Sequence, residues 1–246
     1  MTTIAHISDL HVSQADFDEE IFLKAVDEIN DLSPDMILLT GDITDNGYYK
    51  NYELATSYLK MFKAPLFAVP GNHDSRNRGY ETFEEFIGER SWRVLTKDGL
   101  IVVGLDSSSP DLNTGHIGRE QQIWMEHQLK KAKSKGNDFS VVALHHHVIP
   151  VPRTGRERNV LHDSGDILES LIKNDVDLVI SGHKHVPHIW KLEETLFVNA
   201  GSLSSYKLRG KDLNSYNTYF IEDGKVEIYL NEVGVKKTLM RTYSKG

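Results

Sequence analysis

T-I-A-H-I-S-D-L-H, residues 3–11, runs an alternating apolar stretch into a polar end. The pattern predicts a strand over residues 3–8 that stops where Asp9 and His11 begin. The same grammar of apolar run, turn and metal-capable side chain recurs along the chain. It is found in L-L-T-G-D (38–42), A-V-P-G-N-H-D (68–74), V-V-A-L-H-H-H (141–147) and V-I-S-G-H-K-H (179–185). Eight residues, Asp9, His11, Asp42, Asn72, His73, His145, His183 and His185, therefore stand just beyond strand ends, where loops carry function.

Further strands are expected over 36–40, 66–69, 100–105, 139–144, 178–180 and 196–199. Between them Phe17, Ile21, Ala25, Ile29 and Leu32 recur at helical spacing, as do Ile123, Met125, Leu129 and Ala132. Alternating strands and amphipathic helices define a layered α/β protein. Near the end, 219–221 and 226–230 flank Glu222-Asp223-Gly224-Lys225, a hairpin signal that adds antiparallel pairing and makes the sheet system mixed. Segments 107–118 and 150–165 read as loops.

The 246 residues, 39% hydrophobic, suffice for one substantial core, so a single domain over 1–246 is expected. A net charge of -8 argues against bulk nucleic-acid binding, although twelve histidines leave room for bound cations. With no cysteine, disulfides, thiolate metal sites and cysteine nucleophiles are excluded. No apolar stretch is long enough to cross a bilayer and the start runs straight into a strand pattern, so a cytoplasmic protein without membrane partners is expected.

Asp9 and His11, one residue apart, are expected to point the same way, as alternate residues do at the end of an extended segment. Gly41 permits a tight turn or close backbone approach that lets Asp42 reach a ligand, while Asp45 reads as a turn or cap residue and a secondary candidate. Asn72 offers a neutral carbonyl oxygen, and His73 beside it can act on substrate. His183 and His185 repeat the spacing of Asp9 and His11. Imidazole-rich ligation favours manganese, iron, cobalt or zinc over calcium.

In this order and context the motifs D-L-H (9–11), G-D (41–42), G-N-H-D (71–74), His145 and G-H-K-H (182–185) resemble those of the calcineurin-like metallophosphoesterase superfamily. L-H-H-H-V-I-P (144–150) and N-A-G-S (199–202) are most similar to its bacterial and archaeal class III cyclic-nucleotide phosphodiesterases. The resemblance implies a four-layer α-β-β-α sandwich of two facing mixed sheets, the metallo-dependent phosphatase fold. It implies two metal ions, one held by Asp9, His11 and His185, the other by Asn72, His145 and His183, with Asp42 bridging and His73 facing the phosphate. It further implies a homodimer and a phosphodiesterase for small diesters, cyclic nucleotides among them, working by direct attack of metal-bound hydroxide on phosphorus. A phosphomonoesterase or nucleotide pyrophosphatase with the same centre, or a metal-stabilised interaction scaffold without turnover, are the alternatives.

Arginine suits phosphate, so Arg76 and Arg78 after the third motif, and Arg153, Arg156, Arg158 and His162 in the 150–165 loop, are candidate substrate contacts. His146 can contact substrate or orient the site, as can His147, and His116 is a further residue that can face it. His6 and His127 read as structural or solvent-exposed. Trp124 and Trp190 read as packing residues because no basic and aromatic stripe accompanies them.

Overall fold

A computed structural model describes residues 1–13, 15–96, 99–134, 139–155 and 160–244. Two six-stranded sheets face one another. In the first, β1 (Thr2–Ile7) lies parallel to β2 (Met36–Thr40), which is parallel to β3 (Leu66–Val69). In the second, β4 (Trp92–Leu95) is the antiparallel edge beside β5 (Leu100–Gly104), followed by the parallel strands β6 (Phe139–Ala143) and β7 (Leu178–Ser181). That sheet ends with β9 (Thr195–Asn199), parallel to β7, and the antiparallel edge β8 (His188–Leu192). On its other flank β1 pairs antiparallel with β10 (Ser215–Glu222), which continues through β11 (Lys225–Glu232) to the edge β12 (Lys236–Ser244). Both sheets are mixed, as the sequence reading expects.

Period-two alternation sorts the strand residues into layers. Ile4, Leu38, Val69, Val102, Val141, Leu178, Val198 and Tyr219 pack between the sheets. Their neighbours turn outward: Ala5, Ile37, Leu39 and Ala68 meet α1 (Glu19–Leu32), α2 (Tyr49–Leu59) and α3 (Gly79–Phe86). On the opposite outer face Ile101, Val103, Val142, Val179 and Phe197 meet α4 (Arg119–Lys133) and α5 (Ser164–Lys173). Strands buried on both faces read as continuous apolar runs, which is why they were visible in the sequence. At about 1.5–3 kcal/mol for each fully buried aliphatic side chain, this middle layer holds the two sheets in register.

Several boundaries shift for local reasons. The expected strands 3–8, 100–105 and 139–144 run past the ladder by one residue, yet Leu105 and Leu144 still donate to Ala143 and Ile180 carbonyls at 2.8 and 3.1 Å. In α1 the carboxylate of Asp18 caps the Ile21 amide at 3.1 Å, so Phe17 precedes the helix and packs on Phe22 and Tyr58 from outside it. The stripe expected for α4 is corrected at Ile123, which is 51% exposed; the buried face is Gln122, Met125, Leu129 and Ala132. Asp223 and Gly224 have φ of 49° and 72°, the left-handed pair of a tight hairpin turn, and β12 adds a third antiparallel strand. No helix among the described residues is long and apolar enough to cross a membrane.

One polar cluster sits in the apolar middle layer. His6 is fully buried and shares hydrogen bonds with the Tyr219 hydroxyl and the Thr40 hydroxyl, both at 2.8 Å, a structural role consistent with the sequence reading. Burial drives its pKa from 6.5 to about 3, with the Asp9 charge opposing only in part. The folded state therefore keeps the ring neutral while an unfolded chain protonates it below 6.5. Stability from this source is complete above pH 6.5 and is lost as pH falls toward 3, by about 1.4 kcal/mol per pH unit. Between about pH 7 and about pH 5 the unfolding free energy of the parent protein should drop about 2 kcal/mol more than that of His6→Gln. Denaturant titrations at both pH values measure this, and parallel losses would count against it.

Candidate metal centre and cleft

The parallel strands of both sheets deliver their C-terminal ends to one place, and the loops there are tied together by backbone hydrogen bonds. Asp9 N–H donates to the Gly41 carbonyl at 3.0 Å, His11 N–H to Asp42 at 2.9 Å, and Gly182 N–H to His145 at 3.0 Å. Across the gap between sheets, His183 N–H reaches the Asp9 carboxylate at 3.0 Å. The side chains then converge because the backbone is bent. Asp9, His11, Asp42, His183 and His185 all have φ between 50° and 72°, a left-handed conformation unusual for residues with a Cβ. Asp9 and His11 thus share a site through two such bends, correcting the expectation of extended alternation.

Two glycines make this closeness feasible. A Cβ on Gly71 would lie 2.2 Å from Asp42 Oδ1 and 2.3 Å from its backbone nitrogen, and one on Gly182 would lie 1.9 Å from Ser8 Oγ. The motif glycines thus serve close approach.

Two groups of donor atoms result. Asp9, His11 and His185 form one: His11 Nε2 is 3.1 Å from His185 Nε2, which is 3.1 Å from Asp9 Oδ1. Asp42, His145 and His183 form the other, joined by Asn72, whose Oδ1 is 3.1 Å from His145 Nε2 and 2.9 Å from His183 Nδ1. Asp42 Oδ2 stands between them, 3.7 Å from His11 Nε2 and 3.4 Å from His145 Nε2. Ligands about 2.1 Å from a shared ion at tetrahedral or octahedral angles are separated by about 3.0–3.4 Å. The observed spacings are of that size, and they bring lone pairs face to face that repel unless a cation or proton lies between them.

The outer nitrogens fit the same role. His145 Nδ1–H donates to the Thr40 carbonyl at 2.7 Å, His185 Nδ1–H to the Lys207 carbonyl at 2.6 Å, and His11 Nδ1 faces Asp45 Oδ1 at 3.2 Å. Each such bond fixes the tautomer and leaves Nε2 for a metal. Asp45 is thereby an orienting residue, held by Lys207 Nζ at 2.6 Å, and its bonds to His11 and then His73 keep its carboxyl far below the usual range. Burial opposes ionisation of Asp42, but His145 and His73 hold it well below the ordinary carboxylate value. Burial alone would lower His145, yet Asp42 and Asp9 raise it to about 9. Asp9 and Asp42 are buried, so the cluster already demands positive charge.

His73 lies at the mouth. Its backbone N–H donates to Asp42 Oδ1 at 2.9 Å and its Nδ1 is 2.7 Å from the Asp45 carbonyl. Arg76 Nη1 also comes within 2.9 Å of that nitrogen, but a nitrogen that donates to a carbonyl cannot accept from a guanidinium. The donor role prevails: burial lowers the ring pKa, while Asp42 and Asp45 outweigh it and raise it overall. His73 also falls within a group with His11 and Asp42, so its position is close enough to the centre to serve either the ions or a substrate above them.

A cleft of about 370 Å³ opens over the donors, lined by Asn72, His73, His183 and His185 with Arg76, Asn113, Lys184, Lys207, Leu208 and Arg209 among others. Of the candidate substrate contacts among the described residues only Arg76 lines it, its Nη2 donating to Asn113 Oδ1 at 2.6 Å. Arg78 is 75% exposed and pairs with Glu81, Arg153 pairs with Asp212 at 3.1 Å, and His162 is exposed outside the cleft. Arg156 and Arg158 lie outside the described residues. His146 is fully buried, its ring bonded to Ser107 Oγ at 2.9 Å and to the Asn113 carbonyl at 3.3 Å, so it steadies the Asn113 loop and has no open face for substrate. His147 stacks on His183, while His116 is exposed beside Asp163. Asn113, Lys184, Lys207 and Arg209 were not singled out by sequence reasoning. Asn113 carried a signal in its place in a loop beyond a strand and Lys184 in its place inside the G-H-K-H motif, whereas Lys207 and Arg209 carried none.

The sequence profile of the calcineurin-like phosphoesterases matches residues 2–187, and the chain belongs to this family. Among curated proteins it is similar to a probable cyclic nucleotide phosphodiesterase of Coxiella burnetii, 25% identical over 241 residues, 91% of this chain and 94% of that one. A 3',5'-cyclic-nucleotide phosphodiesterase of Nostoc sp. is 26% identical over 200 residues, 74% of this chain and 71% of the relative. A probable glycerophosphodiester phosphodiesterase of Arcobacter nitrofigilis is 30% identical over 146 residues, 54% of this chain, and the match spans only 53% of that relative's length. Among solved structures, a purple acid phosphatase from yellow lupin superposes with a TM-score of 0.74 at 13% identity, covering 98% of this chain and 53% of that one. GAP50 of Plasmodium, an inner membrane complex anchor, does so at 0.71 and 15%, covering 99% and 88%. At such identities these two structures establish the shared fold alone.

Asp74 anchors the loops that hold Asp42 and Asn72. Its fully buried carboxylate accepts from the amides of Ile43, Thr44 and Gly71 at 3.1, 2.8 and 2.9 Å and from the Thr44 hydroxyl. Asp74→Asn turns an amide NH2 against two of these donors and should cost about 3 kcal/mol of unfolding free energy. Urea denaturation of the metal-free protein measures it; an unchanged midpoint would remove Asp74 from this role.

Proposed function

We propose that this protein is a metal-dependent phosphodiesterase for small phosphodiesters, cyclic nucleotides included, with two divalent ions at its centre. The observation that carries the reading is the convergence of seven donors into two adjoining groups with Asp42 between them and His73 at the mouth. Asp9, His11 and His185 would hold one ion, and Asn72, His145 and His183 the other. Similarity to proteins named cyclic nucleotide phosphodiesterases supports the diester class.

When bound, the ions supply Lewis-acid activation of water and of the phosphoryl oxygens. The chain's own part is to set charge and position. Asp9 and Asp42 offset about half the charge of two divalent ions, and the neutral Asn72 and imidazoles leave the remainder for a phosphate. His73, its Nδ1–H fixed on the Asp45 carbonyl, is held at the cleft, a position that suits donation to a phosphoryl oxygen or to the leaving alkoxide. Arg76, anchored on Asn113, adds a guanidinium beside it. A metal-stabilised scaffold has no need of either group.

A metal-reconstituted panel of bis(p-nitrophenyl) phosphate, p-nitrophenyl phosphate and cyclic nucleotides tests the substrate class. Diesters should be turned over faster than the monoester, and a strong monoester preference would overturn the reading. His73→Ala should keep its metal content while losing roughly 10²–10⁴-fold in kcat, most for esters with poor leaving groups. Equal losses on activated and unactivated esters would remove the acid role.

A further inference from the structure

The lip of the cleft carries more positive charge than a single phosphodiester needs. Lys207 is committed, its Nζ lying 2.6 Å from Asp45 and 3.0 Å from Asp16. Arg76 is turned toward His73 and Asn113, above the donors. Arg209 differs from both. Its Nε–H donates to the Lys184 carbonyl at 2.9 Å, which pins the guanidinium over the His183 to His185 loop, while among the described residues no carboxylate pairs with it. The residue is exposed and lines the cleft. A guanidinium held through Nε presents its two terminal nitrogens as a fork, the geometry that receives an oxyanion with two parallel hydrogen bonds.

The rest of the lining says what this fork would meet. Among the described lining residues no Phe, Tyr or Trp is present and Leu208 is the single aliphatic side chain, so the lining is almost wholly polar and suits a charged substrate. A simple diester carries one negative charge, and the metal centre with His73 and Arg76 already receives it. We propose that Arg209 is a specificity-determining residue that receives a second oxyanion on the substrate, so that within the diester class the preferred members are small phosphodiesters bearing a further phosphate beyond the scissile one. This deepens the phosphodiesterase reading and rests on it.

The rival role for Arg209 is to brace the Lys184 carbonyl and, through it, the metal-ligand loop. A matched pair of substrates separates the two: the p-nitrophenyl ester of thymidine 5'-phosphate, and the same ester carrying a 3'-phosphate. The metal-loaded parent protein should favour the second about tenfold in kcat/KM, chiefly through KM, the discrimination one charge-assisted contact provides. Arg209→Ala should abolish that ratio with bound metal unchanged, and Arg209→Lys, which keeps charge without the fork, should restore only part of it. Equal rates on the two esters in the parent, or parallel loss on both together with loss of metal, would overturn the proposal. Should bis(p-nitrophenyl) phosphate prove inert to the metal-loaded protein, the phosphodiesterase reading fails by itself. Calorimetric affinities for thymidine 3',5'-bisphosphate and thymidine 5'-monophosphate then decide the Arg209 site: tighter binding of the bisphosphate that disappears in Arg209→Ala supports it, and equal affinities overturn it.

Discussion

Two carboxylates, Asp9 and Asp42, sit buried at the junction of two sheets, where they lose most of their hydration, and the surrounding structure is arranged around that cost. Buried charge of one sign is tolerated only when charge of the other sign is close. Four imidazoles are packed against these two acids, and their separations suit a shared cation better than contact among neutral rings. The amide of His183 adds a hydrogen bond to Asp9 from the opposite sheet, so the charge cluster also acts as a clasp between the layers.

The clasp depends on backbone conformations that cost energy locally. Five donor-bearing residues adopt left-handed φ values, and each is held there by loops bonded to their neighbours. Asp74 shows how: one carboxylate gathers amides from the loops after β2 and β3, so Asp42 and Asn72 are positioned by one anchor. Strain of this kind persists only where the surrounding fold over-determines it, and here both sheets and three layers of buried aliphatic residues do so.

Much of this was legible in the sequence because a strand buried on both faces is an unbroken apolar run, and a polar residue ending that run stands out. The edges were less visible. Strand β4 is only four residues long and β8 is largely exposed, so neither carries an alternation long enough to separate it from loop. The donor residues could be read from motif order, but their backbone bends could not, because Asp9 and His11 look like alternate residues of an extended chain until φ is known. The substrate side was the least legible. Arg78, Arg153 and His162 are close in sequence to the motifs yet point elsewhere, while Lys207 and Arg209 arrive from a segment that carries no motif and is brought in by its own hydrogen bonds to His185 and Lys184.

That arrival ties the donor cluster and the lip of the cleft to one segment. The Lys207 carbonyl fixes the His185 tautomer, the Lys207 ammonium steadies the carboxylate that orients His11, and the Arg209 side chain bonds the carbonyl between His183 and His185. The lip of the cleft is therefore joined to the donor loops by single hydrogen bonds. A cation bound by the folded chain and not by the unfolded one stabilises the fold by mass action, so the ligand loops and this segment share whatever stability the ions provide. The first two links run through Lys207 to the donor imidazoles themselves, whereas the Arg209 side chain bonds a carbonyl between two donor residues and no donor atom. Of the two lip residues, Arg209 is therefore the one whose change leaves the donor side chains' own hydrogen bonds intact.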